Sequence, residues 1–266
     1  MSDLDACAGI VERGDPDRFA AVMAAPVSVR PVLWPIYAFN VEVGRAPWLT
    51  REPLIAEMRL QWWRDVLEEI AAGGPVRRHE VATPLAAAVG PHGAALLRPA
   101  VDARLWDVHE TGFEDDAALW AHLDAVAGTL LRAAAQALGA TIPAVTPAES
   151  GEASGAAALG RAARAQGLAN WLRAVPALEA AGKRPLPDGR PEAVARLALT
   201  GLSMLEAARR DGVPPEAGPA MLALSETRPM LRRAAARPGL VARGELGRTP
   251  LARSVRLMML GASGRF

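Results

Sequence analysis

Apolar side chains recur along most of this chain at the three- and four-residue spacing of a helix face, and almost nowhere at the alternating spacing of a strand. The clearest run covers residues 52–72. Leu54, Met58, Trp62, Val66 and Ile70 fall four apart, Ile55, Trp63 and Leu67 stand beside them, and Gly73-Gly74-Pro75 closes the run. This stripe predicts a helix whose core face carries Trp62 rather than Trp63. Asp15-Pro16 reads as an N-cap followed by proline at the first helical position, opening a short helix to about Ala25. Another starts near Ser28 and passes through Leu33, Ile36, Tyr37 and Val41 to about Val43, where Gly44 and Pro47 end it. Further helices are predicted over residues 93–110, 115–138, 154–180, 191–211, 216–224, 228–236 and 249–260, with Pro- or Gly-containing loops at 77–83, 140–151, 183–190 and 212–215. No internal repeat and no long linker divides the chain, so the expectation is one all-α domain over residues 1–266.

Composition supports that reading, since 57 of the 266 residues are alanine, the strongest helix former. A chain of this size buries roughly 70–75% of its unfolded surface. It needs neither metal nor disulfide to hold together, and Cys7, standing alone, offers no internal disulfide and no cysteine-based zinc site. The opening residues are acidic, with no long apolar run behind them, so no secretory signal is expected. The longest uncharged stretch, residues 81–97, contains Pro84, Pro91, His92 and two glycines and is short for a membrane span. The expectation is a cytoplasmic protein, at most peripheral on the inner face of the membrane.

The net charge of +1 conceals an asymmetry, because residues 228–266 hold nine arginines against one acid, Glu245. With Leu251, Val255, Leu257, Met258, Met259 and Leu260, this segment reads either as a last core helix with a solvated arginine face or as an attraction for anionic lipid or an acidic partner. No aromatic residues are interleaved with it, which argues against a nucleic-acid stacking surface.

Common catalytic motifs are missing: no phosphate-binding glycine loop, no nucleophile elbow, and no helical pairing among His79, His92, His109 and His122. Asp65, Glu68 and Glu69 share one helix face, Asp102 and Asp107 flank Arg104, and Glu114-Asp115-Asp116 looks like a helix N-terminal cap. None of these groups by itself makes a site.

Their order along the chain says more. Tyr37-Ala38-Phe39, then residues 57–65 (Glu-Met-Arg-Leu-Gln-Trp-Trp-Arg-Asp), Val126-Ala127-Gly128-Thr129, Gln166 with Asn170, Leu172 and Arg173, and finally Gly182-Lys183 and Leu186-Pro187 follow one another in a specific sequence. In this order they resemble the squalene/phytoene synthase family, all-α enzymes that join two isoprenoid diphosphates head to head. The resemblance runs from about Asp15 to Pro187 and implies a single isoprenoid-synthase-like helical bundle around a central cavity. It also marks a departure. Where active members carry acids after the first motif, this chain has Gly44 and Trp48, and after the second it has Ala174, Ala177 and Leu178. The family ionises an allylic diphosphate whose leaving charge is neutralised by Mg²⁺ held on those carboxylates.

By this resemblance the expected cavity or ligand-binding residues are Tyr37, Glu42, Arg45, Gln166, Asn170, Arg173 and Lys183, with Glu42 and Arg45 paired one turn apart. Gln166, Asn170 and Ala174 recur every four residues and so share a face. No catalytic residue, metal ligand or cofactor is assigned. A branch of the family that keeps Tyr-Ala-Phe-Asn and Leu-Gln-Trp-Trp-Arg-Asp without the aspartates includes the mitochondrial assembly factor for respiratory complex I. It implies a non-catalytic, membrane-peripheral assembly or lipid-binding factor, with an isoprenoid or lipid ligand and a respiratory-complex subunit as partners. The alternative is a Mg²⁺-dependent head-to-head prenyltransferase with a shifted metal site on Glu42, Asp65 and Asp102.

Overall fold

The computed structural model describes residues 2–110, 112–143, 154–247 and 256–260. Its helices follow in the order α1 (Asp3–Gly14), α2 (Pro16–Ala24), α3 (Arg30–Arg45), α4 (Pro53–Ala71), α5 (Ala82–Asp102), α6 (Leu105–His109), α7 (Asp116–Leu123), α8 (Thr129–Ala137), α9 (Gly155–Ala180), α10 (Pro191–Asp211), α11 (Gly218–Met221), α12 (Thr227–Ala236) and α13 (Gly239–Ala242). Among the described residues there is no strand, only an isolated bridge between Gly112 and Arg184. The predicted helix over 249–260 is described only at 256–260, where it is helical; residues 248–255 and 261–266 of the basic segment, the loop over 144–153 and Met1 lie outside the described residues.

Local chemistry explains several starts. Asp15 accepts from the Arg18 amide at 3.0 Å and Asp115 from that of Ala118 at 2.8 Å, so both cap a helix as the sequence suggests, and Ser154 caps the next long helix by accepting from the Ala157 amide at 3.2 Å. The pattern above begins at Asp15 and misses α1. That helix is opened by a capping box in which Ser2 and Asp5 bond each other's backbone amides, and it buries Cys7, Ile10 and Val11. Burial pushes the Cys7 thiol up to about 12, which leaves it an inert core side chain. The helix expected over 93–110 begins earlier, at Ala82. It bends at Gly90, whose φ of +60° precedes Pro91, and gives way to α6 after Asp102.

In α4 the four-spaced stripe proves misleading. The buried residues are Ala56, Leu60, Trp63, Val66, Leu67 and Ile70, whereas Leu54 is 68% exposed, Met58 is 64% exposed and Trp62 is only half-buried. Four residues turn an α-helix through about 400°, so a row at that spacing drifts by roughly 40° per step and sweeps around the helix. Its start at Leu54 faces out while its end at Ile70 faces in, and Trp63 takes the core position expected of Trp62.

Most of these helices share one hydrophobic core. The long helix α9 packs against α10 and α12 on one side and against the segment after α7 on the other, while α3, α4, α5 and α8 close the bundle. Leu257 docks in a small satellite cluster with Ala21, Ala25 and Leu222, leaving Met258 and Met259 exposed. No described helix is long and apolar enough to cross a membrane.

Candidate functional site

Between α3, α6, α7 and α9 lies a cavity of about 410 Å³, within the roughly 300–1,000 Å³ usual for pockets that enclose a small organic molecule. Its shape depends on a distortion. The helix predicted over 115–138 is interrupted by a π-helical segment at Asp124–Gly128, just ahead of α8; such segments are rare and concentrate at functional positions. Asp124 in this segment accepts from Arg132 at 3.3 Å and from Arg164 on α9 at 3.2 Å. Gly167 lets α9 approach closely, since a Cβ there would lie 2.9 Å from Ala127 Cβ. Val126 and Ala127 of this segment then face the cavity opposite Asn170, Ala174, Ala177 and Leu178 of α9.

The polar part of the wall is small. Arg104, just ahead of α6, bonds Asp107 at 3.3 Å, and desolvation raises the pKa of Asp107, which is almost wholly buried. Arg18 also lines the cavity; it pairs with Asp15 and lies 5.5 Å from the Tyr37 ring centre. His122 sits in an aromatic cluster with Trp106, Phe113 and Trp171, its ring 5.0 Å from that of Trp171, and Nε2 has no hydrogen-bond partner. Burial pushes its pKa down to about 3, with Arg104 adding repulsion, so the imidazole is neutral at physiological pH. Asn40 and Trp48 complete the α3 side.

The structure sorts the residues singled out from the sequence. Asn170 lines the cavity. Gln166 does not: although it shares a helical row with Asn170, its Nε2 donates to the Ala223 carbonyl at 2.8 Å and it faces a smaller neighbouring space. Arg173 faces that same space and pairs with Asp17. Tyr37 is core, 2% exposed, its phenol pushed up to about 12 by burial. Glu42 and Arg45 form the expected pair, at 3.9 Å, but Glu42 lines a separate groove with Leu49, Arg59, Trp62 and His79. Lys183 donates to the Glu110 carbonyl at 2.6 Å and lies over Trp106, outside the cavity wall. Asn170 borders both spaces and Gln166 only the smaller one, because helical spacing records which residues share a row but not which neighbouring element meets each of them.

The positions where the family resemblance expects acids do face this space: Trp48, Ala174, Ala177 and Leu178 line it, and Gly44 leaves room taken by the Arg104 guanidinium, 3.6 Å from where a Cβ would stand. Mg²⁺ requires several oxygen ligands, yet the cavity's carboxylate is Asp107, engaged with Arg104, so these residues do not fit the ion. The shifted set fares no better. Glu42 pairs with Arg45, Asp65 accepts from Gln61 at 2.7 Å, and Asp102 bonds Arg64 at 2.6 Å and lies 3.5 Å from Arg98. Among the described residues no three acids, histidines or cysteines stand together as a metal site.

Sequence reasoning missed Arg18, Asn40, Arg104 and His122 as wall residues. Asn40 had a usable signal, because Asn40, Gly44 and Trp48 repeat at four and place it with the positions where the family resemblance expects acids.

A profile described as squalene/phytoene synthase matches residues 11–254 of the chain. No curated protein matches it. Among solved structures, the fold is similar to that of a dehydrosqualene synthase crystallised in complex with ligand, at TM-score 0.70 and 16% identity over 98% of this chain and 95% of the other. It is also similar to squalene synthase HpnC from Alicyclobacillus acidocaldarius, at TM-score 0.65 and 13% identity over 98% and 94% of the two chains. At these identities the likeness is one of fold.

Proposed function

The chain belongs to the squalene/phytoene synthase family, and from that premise we propose that it is a catalytically degenerate member: a membrane-peripheral factor that holds an isoprenoid or lipid chain without joining two of them. The observation that carries this reading is the replacement of the acids on both cavity-facing helices by Trp48, Ala174, Ala177 and Leu178. Ionising an allylic diphosphate exposes several negative charges in a low-dielectric space, and without carboxylates nothing on these helices anchors the metals that would neutralise them. What the cavity retains is an apolar wall of suitable size, and the ligand in the dehydrosqualene synthase structure is consistent with a fold that encloses small molecules.

Peripheral membrane contact is supported by the exposed apolar side chains of Trp48, Leu49, Leu54, Ile55 and Met58, which stand close together in sequence on the loop before α4 and its first turns. A role in assembling a respiratory complex, with one of its subunits as partner, follows from the resemblance to the assembly-factor branch. The test is incubation of the folded protein with Mg²⁺ and farnesyl or geranylgeranyl diphosphate, measuring diphosphate release and extractable hydrocarbon. No turnover above a heat-killed control is expected; turnover would overturn the proposal in favour of a head-to-head prenyltransferase.

A further inference from the structure

The charged side chains of the cavity wall are all paired with an opposite charge: Arg18 with Asp15, and Arg104 with Asp107. Two further cations the sequence pointed to are also engaged, Arg173 by Asp17 and Lys183 by the Glu110 and Trp106 carbonyls. The uncharged polar side chains are in the opposite state. Among the described residues the amides of Asn40 and Asn170 make no side-chain hydrogen bond, and His122, 8% exposed, has its Nε2 buried without a partner. Asn40 on α3 and Asn170 on α9 are half-buried at the cavity wall with no side-chain partner in the protein, so both amides are open to a molecule in the cavity, whereas the charged groups beside them are already taken.

We infer that the cavity takes an isoprenoid chain ending in an uncharged oxygen head, a hydroxyl or a carbonyl, in preference to a diphosphate ester. This deepens the proposed function and rests on its reading of the cavity as a binding site. A diphosphate would bring several charges into an apolar space where each arginine is already neutralised by a carboxylate, an arrangement penalised by desolvation. A hydroxyl or carbonyl needs only one or two hydrogen bonds. A carboxamide offers both a donor and an acceptor, so Asn40 and Asn170 supply them without any change of charge. The chain would lie along Leu123, Val126, Ala127, Ala174 and Leu178.

Trp48 and Trp171 line the cavity and provide a fluorescence signal. The full-length protein is titrated with farnesol, farnesal, farnesyl diphosphate with and without Mg²⁺, and farnesene, which has the chain but no head. Farnesol or farnesal is expected to bind at least about tenfold more tightly than either the diphosphate or the hydrocarbon, and Mg²⁺ to leave that order unchanged. Asn40→Leu and Asn170→Leu, each checked for an unchanged fold by circular dichroism, should bring farnesol affinity down toward that of farnesene while leaving farnesene binding as it was. A diphosphate that binds best, a farnesol affinity equal to that of farnesene, or variants that leave farnesol binding intact would overturn the head-group inference while keeping the cavity as a binding site. No binding by any probe would overturn the cavity reading itself.

Discussion

Lowering the pH tests the position of His122 directly. Its imidazole is 8% exposed inside the Trp106, Phe113 and Trp171 cluster, and its pKa in the folded protein is held down at about 3, against 6.5 for an unperturbed histidine. The unfolded chain therefore takes up a proton below about pH 6.5 that the folded protein refuses, and stability falls as pH falls. Between these two values the slope approaches 1.4 kcal/mol per pH unit, and by about pH 5 the loss relative to about pH 8 is roughly 2 kcal/mol. Asp107 works in the opposite direction: its raised pKa makes the folded state the better proton acceptor in the acid range. A comparison with His122→Phe, whose ring can join the same cluster, isolates the histidine. Urea unfolding followed by far-ultraviolet circular dichroism at about pH 8, 7, 6 and 5 should show the wild type losing roughly 2 kcal/mol more than the variant. Parallel stability curves would refute the claim that His122 is buried and neutral.

Three further outcomes follow from the geometry. Arg104→Met strips Asp107 of its ion pair in a nearly dry site, so roughly 3 kcal/mol of stability should be lost at neutral pH in chemical denaturation, and part of it should return on acidification as Asp107 protonates. Gly167→Val places side-chain atoms where α9 meets the π-helical segment, with Ala127 Cβ 2.9 Å from a Cβ there; a cost of about 1–3 kcal/mol is expected, read as a lowered Tm. Leu54→Glu with Met58→Glu alters exposed positions, so stability should stay within about 0.5 kcal/mol of the wild type, while sedimentation with phospholipid vesicles should drop; unchanged sedimentation would remove this face from the proposed membrane contact.

Much of the architecture was legible in the order of residues. Asp15-Pro16 and Asp115 announced their helices because a cap is a local event, settled within a turn by one side chain and a few amides. The ordered segments from Tyr37 to Pro187 carried the family, which the profile match over residues 11–254 shows. The positions facing the cavity from α9 were legible in part, since Asn170, Ala174, Ala177 and Leu178 do line it. Gln166 was not, because the neighbour that meets it, the Ala223 carbonyl, lies 57 positions away in the chain.

What the sequence determined by itself was therefore the helical content, most helix starts, the family, and the uncharged side chains at Gly44, Trp48, Ala174, Ala177 and Leu178. These follow from spacing, capping and residue identity, which are short-range properties. Only the tertiary structure decided which side of α4 is core, that Trp63 rather than Trp62 is buried, that a π-helical segment shapes the cavity, and that Arg18, Arg104 and His122 surround it. The physical reason is that burial and pairing belong to two surfaces at once. A helix presents its faces according to its own sequence, but which face is covered, and which polar group finds a partner there, depends on another helix brought against it from far along the chain.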